Sequence, residues 1–163
     1  MMFPVTRASL AILVFAFSLF TSSCSSFETP EIREPEEMQV RILKFNGPVG
    51  TIRIESHCHN QNGIGFTFKG GELDLFLNDH PLGHAVVDTT FKVASHADFM
   101  VPIQFELDLN KFSATNLDLS KKLRVKVAGN MKGSAFGIGK TLPILYEKEH
   151  LLNLVLPYAV DGN

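Results

Sequence analysis

Phe99-Met100-Val101-Pro102-Ile103-Gln104-Phe105-Glu106-Leu107-Asp108-Leu109 is the stretch that decides the fold. Its odd positions are all apolar, and its even positions turn polar from Gln104 onward. In an extended chain alternate side chains point to opposite faces, so one face of this strand is built for a core and the other for water. Pro102 has no N–H to give a second neighbour, which predicts a strand at a sheet edge near its start.

The same period of two spreads outward from this strand. Leu123, Val125 and Val127 alternate with Lys122, Arg124 and Lys126, and Leu73, Leu75 and Leu77 alternate with Glu72, Asp74 and Phe76. Val87, Thr89, Phe91 and Val93 alternate with Asp88, Thr90 and Lys92. Met38–Phe45, Thr51–His59 and Ile64–Lys69 read as strands with more breaks, and Ile144–His150 as a final one. Asn46-Gly47-Pro48 and Asn78-Asp79-His80-Pro81 supply the reversals. Gly70-Gly71 predicts a bulge or bend inside a strand. A short helix fits only near Leu109–Lys121. Seven or eight strands with almost no helix predict an all-β chain built as an antiparallel β-sandwich over residues 38–160.

Upstream the chain changes character. Arg7 precedes an apolar run from Ala8 to Phe20, and Thr21-Ser22-Ser23 lead into Cys24. Thirteen helical residues span roughly 20 Å, short of the ~30 Å hydrocarbon core, so a secretory signal is expected over 1–23 rather than a permanent span. Small residues before a cysteine resemble a lipobox, in which Cys24 carries the lipid; Thr21 departs from the aliphatic residue usual there. That resemblance implies a bacterial lipoprotein, acylated as by palmitate and held on a membrane of the cell envelope. Ser25 in place of an aspartate points, by the usual sorting pattern, to the outer membrane facing the periplasm. Residues 24–37 read as an acidic, proline-containing tether, with Glu28, Glu31, Glu34, Glu36 and Glu37 against Arg33 alone. Such a composition keeps a chain extended and buries little.

Removing 1–23 leaves 14 bases against 17 acids, a net charge of −3 (15 − 1 bases, 17 acids). That balance gives no attraction to nucleic acid. With Cys24 lipidated, Cys58 has no disulfide partner.

A family resemblance lies in Asn60-Gln61-Asn62, followed by Ile64-Gly65-Phe66, Gly71–Asp79 and Leu82-Gly83. Together with Ala94-Ser95-His96 before the strand Phe99–Leu107, these residues resemble the water-stress and hypersensitive-response (WHy) domain of the group 2 late embryogenesis abundant proteins. Gln61 stands where that pattern has proline. Asn60 and Asn62 are then family-motif residues. The resemblance implies a fibronectin/immunoglobulin-like sandwich of about seven strands with at most one short helix, and a role in stress tolerance or at membranes. It brings no catalytic residue.

Candidate chemistry is sparse. His57 and His59 share a strand face about 7 Å apart, a spacing suited to two imidazoles on one metal ion, with Cys58 pointing the other way. His80 and His84 would join them only if the fold allowed, and solvated histidines at a strand end are the simpler account. Gly137-Ile138-Gly139-Lys140-Thr141 looks like the end of a phosphate-binding loop, but the upstream glycine is misplaced and Pro143 blocks the helix that should follow, so a hairpin turn is expected and no nucleotide. Ser56 beside His57 is no triad, because neighbouring strand residues face opposite sides. Glu72 and Asp74 share a solvated face. Lys121, Lys122, Arg124 and Lys126 form a basic stripe that either keeps an outer face soluble or touches headgroups. The apolar end His150–Tyr158 is expected to be a last strand or core cover, with an exposed apolar edge that binds a partner or acyl chain as the alternative. These readings imply no enzyme, no cofactor and no metal. The expected role is that of a membrane-tethered protector or organiser of the envelope, with lipids or envelope proteins as partners. A carrier of an apolar ligand such as a lipid is the alternative.

Overall fold

The computed structural model describes residues 27–157; the expected signal over 1–23 and Cys24 lie outside the described residues. Within them run nine strands and one short helix: β1 (Glu31–Ile32), β2 (Glu37–Asn46), β3 (Val49–His59), β4 (Phe66–Leu77), β5 (His80–Val87), β6 (Phe91–Val93), β7 (Asp98–Asp108), α1 (Leu109–Ser113), β8 (Leu123–Ala135) and β9 (Ile138–Val155). The chain is all-β, as its alternation requires, but the architecture is not a seven-stranded immunoglobulin-like sandwich. One nine-stranded mixed sheet runs in the order β1-β3-β2-β9-β8-β4-β5, with β7 also on β3 and β6 also on β4.

The difference comes chiefly from β9, which is 18 residues long. From Ile138 to His150 it pairs antiparallel with β8, and from Leu151 to Val155 it pairs parallel with β2. A single strand thus belongs to both halves of the sheet and joins them. The sheet rolls over so that β2, β3 and β7 face β4, β8 and β9 across one core, which holds Ile52, Ile54, Leu73, Leu75, Val101, Ile103, Phe105, Val125 and Ile144. The odd residues of the deciding strand, Val101, Ile103 and Phe105, are 2–5% exposed. Their packing is the main source of stability, at roughly 1.5–3 kcal/mol for each fully buried large side chain.

Turns and breaks follow local chemistry. Asn78 and Asp79 take φ of 47° and 67°, the two-residue hairpin turn whose twist suits its flanking strands. Pro102 sits on β7, whose only strand partner among the described residues is β3, so its missing N–H faces no ladder. Gly70 has φ 86°, and a Cβ there would lie 2.1 Å from the Val87 carbonyl oxygen; the β4–β8 register shifts between Phe68 and Gly71. The expected single strand over Val87–Val93 is broken at Asp88–Thr90 into β5 and β6, each on a different stretch of β4. α1 is capped by Asp108, whose carboxylate accepts from the Asn110 and Lys111 N–H groups, but it buries no residue and stops after five.

Residues 27–37 differ from a free tether. β1 pairs with the end of β3, Arg33 N–H donates to the His57 carbonyl at 2.8 Å, and Phe27 packs edge-on against Phe66 with ring centres 5.4 Å apart. The segment is extended, as its prolines and like charges require, yet it is laid along the domain because β3 offers its unpaired end there.

Candidate functional site

Asn60 follows the last residue of β3 and is fully buried. Its side-chain amide donates to the carbonyls of Ile64 (2.9 Å) and Ala94 (2.8 Å), and its oxygen accepts from the backbone and side-chain N–H of Asn62 (3.1 and 3.0 Å). Asn62 in turn clasps the backbone of Glu28, accepting from its N–H at 2.7 Å and donating to its carbonyl at 2.8 Å. Two side-chain amides therefore tie the 60–65 loop, the 94–97 loop and the amino-terminal segment into one hub. An asparagine is needed at position 60 because only an amide both donates twice and accepts in so small a volume. The hub is structural: its donors and acceptors are spent on the fold.

A second polar group lies where the amino-terminal segment crosses the rolled sheet. Glu34 accepts from the Ser56 hydroxyl (2.5 Å) and the His57 N–H (3.1 Å), and burial pushes its carboxyl above the ordinary range, against those two bonds. His150, 1% exposed, holds the Pro35 carbonyl through Nδ1 (2.7 Å) and meets the Tyr146 hydroxyl at Nε2 (2.6 Å). A carbonyl only accepts, so Nδ1 donates to Pro35, and in that neutral tautomer Nε2 is the acceptor for the Tyr146 O–H. Burial raises both the Tyr146 phenol and the Cys58 thiol to about 12. Cys58 is free and buried, an inert thiol rather than a nucleophile. Ser56 thus serves Glu34 and not His57. Sequence reasoning missed Glu34, Tyr146 and His150. The even-numbered alternation Leu142, Ile144, Tyr146, Lys148, His150 was the one available sign that the last two rings share an inward face.

The remaining candidates are spread apart. His57 is exposed on the outer face of β3; His59, on the same face, meets Asp98 at 2.7 Å through Nδ1. His84 on β5 bonds Asp74 at 2.8 Å. Among the described residues no group of three or more His, Cys, Asp or Glu side chains is placed to hold a metal ion. Glu72 lies 3.7 Å from Lys132, and Gly137 to Lys140 form a hairpin turn and the start of β9. In the basic stripe Lys121 pairs with Asp118, Lys122 with Glu36, and Arg124 with Asp79 and Glu147. The Lys122 pairing lowers the Glu36 pKa and raises that of Lys122. Lys126 lies over the Phe76 ring at 5.7 Å.

Three of the concavities among the described residues are large enough to matter for binding. A mixed-charge groove of about 220 Å³ runs between Glu34, Glu37 and Glu55 on one side and Arg41 and Arg53 on the other. An apolar groove of about 140 Å³ opens at the end where β4 begins, between Phe27, Phe66, Met131, Ile138 and Leu142. At the other end a wholly apolar cavity of about 120 Å³ lies between Ile42, Leu77, Phe105, Phe112, Leu152 and Leu154.

The described residues thus form a rolled β domain whose asparagines hold loops and whose concavities are apolar or lined by both signs of charge. Residues 55–147, from within β3 to within β9, match the family described as late embryogenesis abundant protein, and the chain belongs to that family. No curated protein matches it. Among solved structures it is similar to a protein from Archaeoglobus fulgidus, with TM-score 0.48 and 11% identity over 77% of this chain and 100% of that one. It is also similar to the sporulation control protein of Bacillus subtilis, with TM-score 0.33 and 14% identity over 76% of this chain and 47% of that one.

Proposed function

We propose that the protein is a bacterial lipoprotein whose late embryogenesis abundant domain, of the WHy kind, protects or organises components of the cell envelope and performs no catalysis. The observation that carries this reading is the seat of Phe27 on Phe66. Cys24 precedes Phe27 by three residues, at most about 11 Å of extended chain. A lipid on Cys24 would therefore hold the domain close to the membrane by one defined end. Membrane, envelope proteins and lipids are the partners this geometry favours. Among the described residues most bases of the stripe are paired with carboxylates and residues 137–141 form part of a hairpin, so neither nucleic acid nor nucleotide is proposed as a partner. Ser25 supports the outer membrane, facing the periplasm.

The test is the intact mass and fractionation of the full chain expressed in a Gram-negative host. Loss of residues 1–23, a mass gain matching acylation and a membrane-bound product that Cys24→Ser releases are expected. An unmodified Cys24 in the membrane fraction overturns the reading. Protection is tested separately, by drying a sensitive reporter enzyme with and without the domain.

The carrier reading has one observation in its favour, the 120 Å³ cavity without polar lining. Small-molecule sites are typically ~300–1,000 Å³, so this space suits a few carbons of a chain rather than a whole lipid. A native mass above the denatured mass would support it.

A further inference from the structure

The turn between β8 and β9 consists of Phe136 and Gly137 at φ 51° and 80°. Both central positions of such a turn need positive φ, which Asn and Gly take readily and a bulky residue takes at a cost. Phe136 occupies the first of them, 86% exposed, and Ile138 close by is 74% exposed. Two large apolar side chains at a strained tip contribute nothing to the core.

The apolar surface does not end at the tip. Ile138 and Leu142, with Ala135, line the 140 Å³ groove whose other wall is Phe27 and Pro30, so the hairpin tip and the amino-terminal segment share one end of the molecule. Lys132 and Lys140 line the same groove, and no acidic residue lies on the hairpin between Leu123 and Tyr146. Lys121, Lys122 and Arg124 pair with acids and Lys126 lies over the Phe76 ring, whereas at the tip end Lys140 makes no ion pair among the described residues and Lys132 only a loose one with Glu72.

We propose that the β8–β9 tip, Phe136 and Ile138 flanked by Lys132 and Lys140, enters the interfacial layer of the bilayer on which the domain is anchored. Apolar side chains at the acyl boundary with lysines at the anionic headgroups are the arrangement that binds such an interface. The proposal rests on the lipidation of Cys24 for its orientation: the anchor is three residues from Phe27, and Phe27 lines the same groove as Ile138. A lipid surface is the occupant that satisfies both the apolar tip and the unpaired lysine.

The chain contains no tryptophan, so Phe136→Trp is a single fluorescent reporter. Leu145→Trp is its control, 73% exposed on the same hairpin but paired with Ala128, away from the tip. Both variants are made in the full lipidated chain and placed in phosphatidylcholine vesicles with a minor share of phosphatidylglycerol. A blue shift of Phe136→Trp and its quenching by brominated acyl chains, with Leu145→Trp unchanged, are the expected results. Emission from position 136 as in water, or equal shifts at both positions, overturns the tip contact. Intact mass on the same samples separates the two readings: an unmodified Cys24 defeats the anchor, and water-like emission from the Phe136→Trp variant in an acylated chain defeats the tip.

Discussion

Removing the Asn60 side chain should cost the domain about 3 kcal/mol, a sum worked from its four hydrogen bonds. Two are donated, to Ile64 and Ala94, and two are accepted, from the backbone and side chain of Asn62. At a net value of ~1 kcal/mol each they total roughly 4 kcal/mol. Ala94 is exposed and Ile64 partly so, which lets water recover part of the loss at their carbonyls. Small domains have only ~5–15 kcal/mol in all, so Asn60→Ala should lower the urea midpoint strongly with m unchanged. Asn60→Asp sharpens the test. It keeps the acceptor but turns a fully buried carboxylate toward two carbonyl oxygens, so at pH 7 it should destabilise more than alanine does. Part of that excess should return as pH falls from 7 toward about 4, because burial lets the folded chain take up the proton, and the acid donate again, above the ordinary value at which the unfolded chain does. Equilibrium urea unfolding of the three chains at pH 7 and pH 4 decides the matter. An alanine variant within about 1 kcal/mol of the parent, or an aspartate no worse than alanine at pH 7, would refute a structural hub.

Three further outcomes follow from the same structure. Burial lifts the Glu34 pKa above the ordinary 4.5, so the folded chain keeps a proton that the unfolded chain releases; stability is full below the ordinary value and declines as pH rises through the folded one. Glu34→Gln, which can still accept from Ser56 and His57, should flatten that decline in urea midpoints measured upward from about pH 4, and parallel curves would count against it. Cys58, raised from 9.0 to about 12, should have roughly a thousandfold less thiolate at pH 8 than the unfolded chain, so a disulfide reagent should label it only after denaturant is added. The backbone N–H of Gln61 makes no hydrogen bond among the described residues, while its side chain donates to the Thr29 carbonyl at 3.4 Å; Gln61→Pro should therefore leave the fold intact and move stability by less than about 1 kcal/mol, read as a urea midpoint near the parent's.

What could be read from the sequence, and what could not, follows from the range of the interaction involved. Period-two alternation is a local property, and β2, β3, β4 and β7 fall where it places them; so do the edge position of Pro102 and the bulge at Gly70. The break between β5 and β6 escaped because it preserves facing: Val87 and Val93 are both buried on either side of it, so alternation runs through the gap unchanged. The parallel pairing of β9 with β2 joins residues such as Met38 and Leu152, far apart in the chain, and no local pattern encodes which edge a terminal strand will meet. Composition likewise made residues 27–37 extended and acidic but carried no information that β3 would leave its end open to them. Asn60 and Asn62 were found through resemblance, while their work was invisible, since an amide that donates to two carbonyls in separate loops has no sequence signature. Phe136 went unread in the sequence, where only the neighbouring run of residues 137–141 was weighed as a phosphate loop. Its exposure at a positive φ is what gives it meaning: a bulky residue that strains the turn and adds nothing to the core is the observation that motivates the proposed lipid contact.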